Sequence, residues 1–331
     1  MDVETGRDDI SVEDANLLVY IDTEYTKPQP VTSWICRRFK QDSGGGQAIL
    51  NGACGALRPG RLTFILGPSG AGKTTLLRIL AKRKKTGVKG SLYGTDRNAV
   101  LVAQHATLID TLTGKESLIF AASVKLPKAT SKEREHAIET VSSQLGIQDV
   151  LNTKAGQMSG GERKRLTIAC ELLTNPTIML LDEPTSGLDS VSSMSVARAL
   201  RNVARNGRTV ACVIHQPSSK LFSSADDVIL MAEGRTLYAG TIEDAPDVLT
   251  RAGFRCPQYY NMADYLLEIA SGEHIGNLAY IEQEANSYTL EMRKIAKTDV
   301  FSGNGKVNAT EAEALLGTTT TYPDGYVAGM W

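Results

Sequence analysis

Apolar positions along this chain come in short, dense runs that alternate with stretches of helical spacing. Leu17-Leu18-Val19-Tyr20-Ile21, Arg61-Leu62-Thr63-Phe64-Ile65-Leu66, Ala99-Val100-Leu101-Val102-Ala103, Thr177-Ile178-Met179-Leu180-Leu181 and Thr209-Val210-Ala211-Cys212-Val213-Ile214 show little polar alternation. A strand covered on both faces loses that alternation, so these read as buried strands. Leu76-Leu77-Arg78-Ile79-Leu80-Ala81, Gly114-Lys115-Glu116-Ser117-Leu118-Ile119-Phe120 and Ser131-Lys132-Glu133-Arg134-Glu135 have helical spacing, the last with Ser131 as N-cap and Glu133 in its first turn. Strand and helix alternate again over residues 173–240, which predicts an α/β fold with a mostly parallel sheet. Residues 241–272 read as two short helices. From Asn277 the periodicity fades, and Ser302-Gly303-Asn304-Gly305 and Thr318-Thr319-Thr320-Thr321 read as linker.

The polar segments between these runs carry the chemistry. Between the strand ending at Leu66 and the helix opening near Leu76 stands Gly67-Pro68-Ser69-Gly70-Ala71-Gly72-Lys73-Thr74-Thr75. This is a complete G-x-x-x-x-G-K-[ST] loop in its required strand–loop–helix setting. Its backbone N–H groups wrap a polyphosphate, Lys73 reaches the terminal phosphates and the Thr74 hydroxyl ligates Mg²⁺. The strand at Leu180-Leu181 ends in Asp182-Glu183. A hard Mg²⁺ ion takes oxygen ligands, which suits Asp182, while Glu183 is placed to orient and deprotonate an attacking water. Pro184 stops the strand, and Ser186-Gly187-Leu188-Asp189-Ser190 turns into the next helix with Ser190 as N-cap.

Three further positions point to the same place. Gln104 follows the Ala99–Ala103 strand and offers a neutral oxygen to the metal or the water. His215 follows the Thr209–Ile214 strand, at the edge of a parallel sheet where ligands bind. Ser159-Gly160-Gly161-Glu162 opens a helix, a second place to hold a phosphate.

In this order and spacing the motifs resemble the nucleotide-binding domain of an ABC transporter. Gly160-Gly161-Glu162-Arg163-Lys164-Arg165, Asp182-Glu183-Pro184-Thr185-Ser186-Gly187-Leu188-Asp189 and Ile214-His215-Gln216-Pro217-Ser218 are similar to subfamily G, the white-type half-transporters. Cys256-Pro257, Asn261-Met262-Ala263-Asp264-Tyr265 and Ala270-Ser271-Gly272-Glu273 are most similar to its sterol- and lipid-exporting branch. The resemblance covers about residues 15–280. Met158 stands where the family usually has Leu or Val, Met262 where it has Pro, and Gly87–Asn98 is shorter than usual.

The resemblance implies a P-loop NTPase ABC-cassette fold: a RecA-like core, an antiparallel β-layer and a helical signature subdomain over about residues 105–172. Residues 1–14 would be a flexible N-terminus, 15–272 the cassette, and 273–331 a linker or tail. It implies ATP and Mg²⁺ as cofactors, with Glu183, His215 and Gln104 catalytic and Thr74, Gln104 and Asp182 at the metal. ATP would lie between Gly67–Thr75 of one chain and Ser159-Gly160-Gly161-Glu162 of a second half-transporter chain, with Asp189 linking the two sites. The base would stack on the first strand, through Tyr20 or Ile21. Hydrolysis would power export, of a sterol or other lipid, through a transmembrane domain absent from this chain, at the cytosolic face of a membrane.

Composition narrows the alternatives. The 331 residues carry a net charge of −1, so no basic field points to nucleic acid. Lys82-Arg83-Lys84-Lys85 reads as a solvated helix end. Cys36, Cys54, Cys170, Cys212 and Cys256 are scattered and odd in number, neither a metal pattern nor a disulfide framework. The sequon at Asn308-Ala309-Thr310 would go unused on a cytosolic domain. No stretch approaches ~20 consecutive apolar residues. A soluble ABC ATPase would carry two cassettes or long coiled-coil insertions, and the sequence has neither.

Overall fold

The computed structural model describes residues 17–27, 48–84, 86–94, 98–104 and 108–302, with side chains as far as 294. Cys36, the sequon at Asn308 and the linker runs beyond 302 lie outside these residues.

Two sheets organise the chain. β1 (Leu18–Thr26) pairs antiparallel with β2 (Ala48–Leu57) on one edge and with β4 (Val88–Tyr93) on the other to make a three-stranded layer. β3 (Leu62–Leu66) feeds α1 (Lys73–Leu80) and lies inside a second sheet. That sheet has the order β5-β6-β7-β3-β8-β9, where β5 is Ala99–Val102, β6 Ile178–Asp182, β7 Thr209–Val213, β8 Asp227–Ala232 and β9 Arg235–Thr241. All its pairings are parallel except β8 with β9.

The strand reading of the apolar runs holds because each face of the six-stranded sheet is covered. Along β3, Leu62, Phe64 and Leu66 enter one apolar cluster with Leu166, Val196 and Leu200. Ile65 enters another, with Leu76 and Leu77 of α1 and Leu18 and Leu50 of the three-stranded layer. Alternate residues serve opposite faces, as the two-residue pleat requires.

The helical region holds α2 (Gly114–Lys125), α3 (Ser131–Leu145) and α4 (Gly160–Leu172). Each begins with a capping box: Thr113 with Glu116, Thr130 with Glu133, and Ser159 with Glu162. Ser131 is therefore the first helical residue and Thr130 the cap. The same correction applies at α5 (Ser190–Arg205), where the Asp189 carboxylate accepts from the N–H groups of Val191 and Ser192 at 3.0 and 3.1 Å. In both cases the residue one step earlier wins because its side chain reaches the free N–H groups of the first turn.

α6 (Ser219–Phe222) lies between β7 and β8, and after β9 come α7 (Ala245–Arg251) and α8 (Met262–Ala270), the two short helices expected over residues 241–272. The expected tail differs. Leu278–Ser302 forms α9, which packs on β9, β2 and β1. Its buried residues Ile281, Ala285 and Thr289 stand four apart and so share one face. Alanine and threonine serve as two of the three contacts, so the apolar signal in the sequence is faint.

The N-terminal edge of the six-stranded sheet is tied by an ion network built on two buried carboxylates. Asp227, at the start of β8, pairs with Arg58 and, at 2.8 Å, with Arg61. Asp226 pairs with Arg201 and Arg205 of α5 at 2.9 and 2.8 Å.

Candidate nucleotide site

The opposite, C-terminal edge of the sheet gathers the predicted residues. Gly67–Gly72 turns tightly from β3 into α1. A Cβ on Gly67, at φ +149°, would lie 2.2 Å from the Met231 carbonyl oxygen, so only glycine brings the loop this close to β8. Gly70, at φ +84°, has nothing within 4 Å of such a Cβ. The loop is thus wedged against the protein on one side and open on the other. Lys73, buried at the start of α1, donates through Nζ to the carbonyl oxygens of Gly67 and Pro68 at 2.7 and 2.8 Å. Burial pushes its ammonium pKa down, against the pull of Glu183 and Asp182.

Asp182 ends β6 beside this loop. The Thr74 hydroxyl donates to its Oδ1 at 3.0 Å. Burial raises the Asp182 carboxyl, the Thr74 bond lowers it, and the neighbouring Glu183 charge raises it further. Thr74 and Asp182 thus place a hydroxyl and a carboxylate side by side, the oxygen donor set that Mg²⁺ takes. Among the described residues no group of three His, Cys, Asp or Glu forms a metal cluster, so a metal here would be shared with water and the ligand's own oxygens.

Glu183 sits at φ +48°, the left-handed region, with its N–H on the Val213 carbonyl at 3.1 Å. Its backbone is thereby fixed in a strained turn, as at many functional sites. Gln104, just past β5, donates through its side-chain amide to Glu183 Oε2 at 2.7 Å. The Gln104 backbone carbonyl in turn accepts from Lys164 Nζ at 2.9 Å. Glu183 and the exposed His215 line one cavity of about 620 Å³ with Thr185, Ser186 and Ser190.

The Ser159 end lies apart. Glu162 Oε2 accepts from the Ser159 N–H at 2.8 Å, so both side chains serve the cap of α4. A Cβ on Gly160 would meet Leu188 Cδ2 at 2.8 Å, and one on Gly161 would meet Ser192 Cβ at 3.0 Å. Those glycines seat the start of α4 against the turn into α5, beside the Asp189 cap. Among the described residues no hydrogen bond joins Ser159–Gly161 to the Gly67–Thr75 loop. The structure therefore brings Lys73, Thr74, Asp182, Glu183 and Gln104 into one hydrogen-bonded region, to which no hydrogen bond among the described residues joins Ser159–Glu162.

Two expectations change. Tyr20 is fully buried and Ile21 is 9% exposed inside the β-layer, so neither presents a face on which a base could stack. Lys164, which reading by motif left inside a basic run, joins the site through the backbone carbonyl of Gln104, a partner that no sequence pattern marks.

Comparison with known proteins agrees with the motifs. Residues 50–186 match the family described as ABC transporter, and residues 215–294 match that described as ABC-2 type transporter. The chain is 38% identical over 257 residues to ABC transporter G family member 26 of Arabidopsis thaliana, covering 73% of this chain and 38% of that protein. It is 39% identical over 241 residues to Protein white of Drosophila melanogaster, covering 67% and 35%. It is 39% identical over 315 residues to Broad substrate specificity ATP-binding cassette transporter ABCG2 of Bos taurus, covering 86% and 48%. The chain thus spans less than half the length of each of these relatives. Among the described residues no helix is long and apolar enough to cross a membrane.

Proposed function

The chain belongs to the G family of ABC transporters, and from that premise we propose that it is the ATP-binding and ATP-hydrolysing motor part of a half-transporter. The observation that carries this reading is the contact of the Gly67–Thr75 loop with Asp182 through Thr74, beside Glu183 held by Gln104. Lys73 already points its ammonium at the loop's own carbonyls, where a γ-phosphate would replace them as its partner. Thr74 and Asp182 would hold Mg²⁺, which supplies charge neutralisation on the phosphates. Glu183 takes the proton of the attacking water, Gln104 fixes its carboxylate, and His215, which lines the same cavity as Glu183, would act on the γ-phosphate.

Site counting points to two chains. Each chain has one phosphate loop and one Ser159-Gly160-Gly161, and among the described residues no hydrogen bond joins the two. A second chain's α4 N-terminus, with its free N–H groups and dipole, would close over the phosphates. Closure and opening would be passed to membrane helices near Gln104. Ile109 and, on α2, Ile119, Phe120 and Val124, between 47% and 65% exposed, provide apolar surface on the helical region. The Asn261-Met262-Ala263-Asp264 segment is the reason for assigning sterol or another lipid as cargo.

Mixing two inactive chains tests the shared site. Lys73→Ala and Ser159→Arg should each silence ATP hydrolysis alone. Their mixed dimer holds one intact composite site, so activity should partly return if one good site suffices; if the two must fire together it will not, and ATP-dependent heterodimers should still form. Hydrolysis by an obligate monomer at every concentration would overturn the two-chain reading. For cargo, the full-length protein in lipid vesicles should move sterol in an ATP-dependent way; stimulation by non-lipid substrates alone rejects the lipid assignment and leaves the ATPase reading standing.

A further inference from the structure

The basic triplet Arg163-Lys164-Arg165 on α4 has no part in the mechanism above, yet its three side chains go to three different elements. Arg163 donates to the Ala155 carbonyl at 2.7 Å and pairs with Asp110 at 2.7 Å. Arg165 bonds the Ser195 hydroxyl on α5. Lys164, half-buried between them, sends its ammonium to the backbone carbonyl of Gln104 at 2.9 Å.

Gln104 needs an anchor. The pairing of β5 with β6 ends at Val102 with Leu181, so the sheet ladder does not hold the backbone of residue 104. Its side-chain amide nevertheless holds Glu183 at 2.7 Å. Glu183's own backbone is locked by the Val213 carbonyl, which leaves the position of its carboxylate to the Gln104 amide. A continuous set of contacts therefore runs from α4 through Lys164 and Gln104 to Glu183. Burial lowers the Lys164 ammonium pKa against the opposing pull of the Asp182 and Glu183 charges, but among the described residues Lys164 makes no ion pair. Its ammonium is committed to a neutral carbonyl.

We propose that Lys164 is a positioning residue for ATP hydrolysis: by fastening the Gln104 backbone to α4, it sets where the Gln104 amide holds Glu183. Any tilt of the helix that begins at Ser159 is then passed to the carboxylate of the same chain. Engagement of Ser159-Gly160-Gly161 with a phosphate on one side of the molecule would thereby adjust the base on the other. The proposal rests on the ATPase reading above. A side chain with a compact charge on a flexible stem suits this role, because it follows a moving helix without losing its bond.

The test combines steady-state ATP hydrolysis with amide hydrogen exchange of the nucleotide-free chain. Lys164→Met should lower kcat about tenfold and leave KM for ATP within about twofold, because the lost interaction governs geometry at the reacting atoms rather than binding. Lys164→Arg, which keeps a cationic donor, should retain most of kcat. In a Gln104→Ala background Lys164→Met should cost less than about a further twofold, since both act through one amide. Exchange over residues 99–104 should rise in Lys164→Met before nucleotide is added. An unchanged kcat in Lys164→Met, an equal loss in Lys164→Arg, or fully additive losses in the double variant each overturn the proposal. A wild-type chain that hydrolyses no ATP defeats the ATPase reading by itself. Exchange then decides for Lys164: a rise over residues 99–104 upholds the anchor and no rise removes it.

Discussion

The two edges of the six-stranded sheet both collect charge, and they treat it in opposite ways. At the N-terminal edge every carboxylate of the network has a counter-ion: Asp227 faces Arg58 and Arg61, and Asp226 faces Arg201 and Arg205. At the C-terminal edge Lys73 rests on two carbonyls, Asp182 on a hydroxyl, Glu183 on an amide and Lys164 on a carbonyl. Among the described residues none of these four is ion-paired. Charges held by neutral dipoles keep their field available to a ligand, whereas charges held by one another cancel. The first edge holds strands and α5 together, and the second, on the function proposed above, receives a polyanion with its metal.

The largest effect should come from unbalancing the paired edge. Asp227 has a side chain only 3% exposed, so Asp227→Ala strands two guanidinium groups against the sheet. Breaking a buried pair on one side costs about 3–5 kcal/mol. For a chain of this size that lowers Tm by roughly 10 °C. Nucleotide affinity of the protein that remains folded should stay within about twofold. A Tm near wild type, measured by calorimetry, would show that the network is not what ties this edge.

The unpaired edge should respond the other way round. Glu183→Gln keeps an acceptor for the Gln104 amide but cannot take a proton. Turnover should fall by roughly two or more orders of magnitude, in the range for loss of a general base, with Tm and ATP affinity little changed. Two chains should remain joined around ATP, visible by light scattering after size exclusion. Wild-type turnover in this variant would remove Glu183 from the chemistry.

The sequence revealed the unpaired edge better than the paired one, and the reason is local. Gly67–Thr75 and Asp182-Glu183 are contiguous and stand at the ends of apolar runs, so spacing alone places them. Gln104 and His215 were found because each follows such a run. Asp227 and its arginines lie far apart in the chain and look like ordinary surface charge until β3, β8 and α5 are assembled. α9 escaped for a related reason: its inner face uses Ala285 and Thr289, which carry little apolar signal. Lys164 was visible only as one of three basic residues, because its partner is a backbone carbonyl, which no sequence pattern marks. The N-caps at Thr130 and Asp189 were misplaced by one residue, since adjacent Ser and Thr or Asp and Ser are all competent caps and geometry chooses among them.

The smallest effect tests whether the unpaired edge costs the nucleotide-free protein stability. Burial comes first among the causes that raise the Asp182 carboxyl above its ordinary value. A carboxyl raised in the folded state adds stability that is fully present below the unfolded pKa and is lost as pH rises through the folded value. At about pH 7 the ionised Asp182 is therefore held against its environment. Asp182→Asn removes that charge and keeps an oxygen for the Thr74 hydroxyl. Without nucleotide, Tm of the variant should exceed wild type by about 1–2 °C near pH 7, a modest gain of the kind seen when a functional charge is removed. The difference should shrink as pH falls through the raised pKa of Asp182, where wild type also becomes neutral at this position. Adding Mg²⁺ and ATP should reverse the order, because the wild-type carboxylate gains a metal and the amide does not. A variant less stable than wild type in the absence of nucleotide, at every pH, would mean that Asp182 is satisfied by Thr74 alone and that the contrast between the two edges does not extend to this residue.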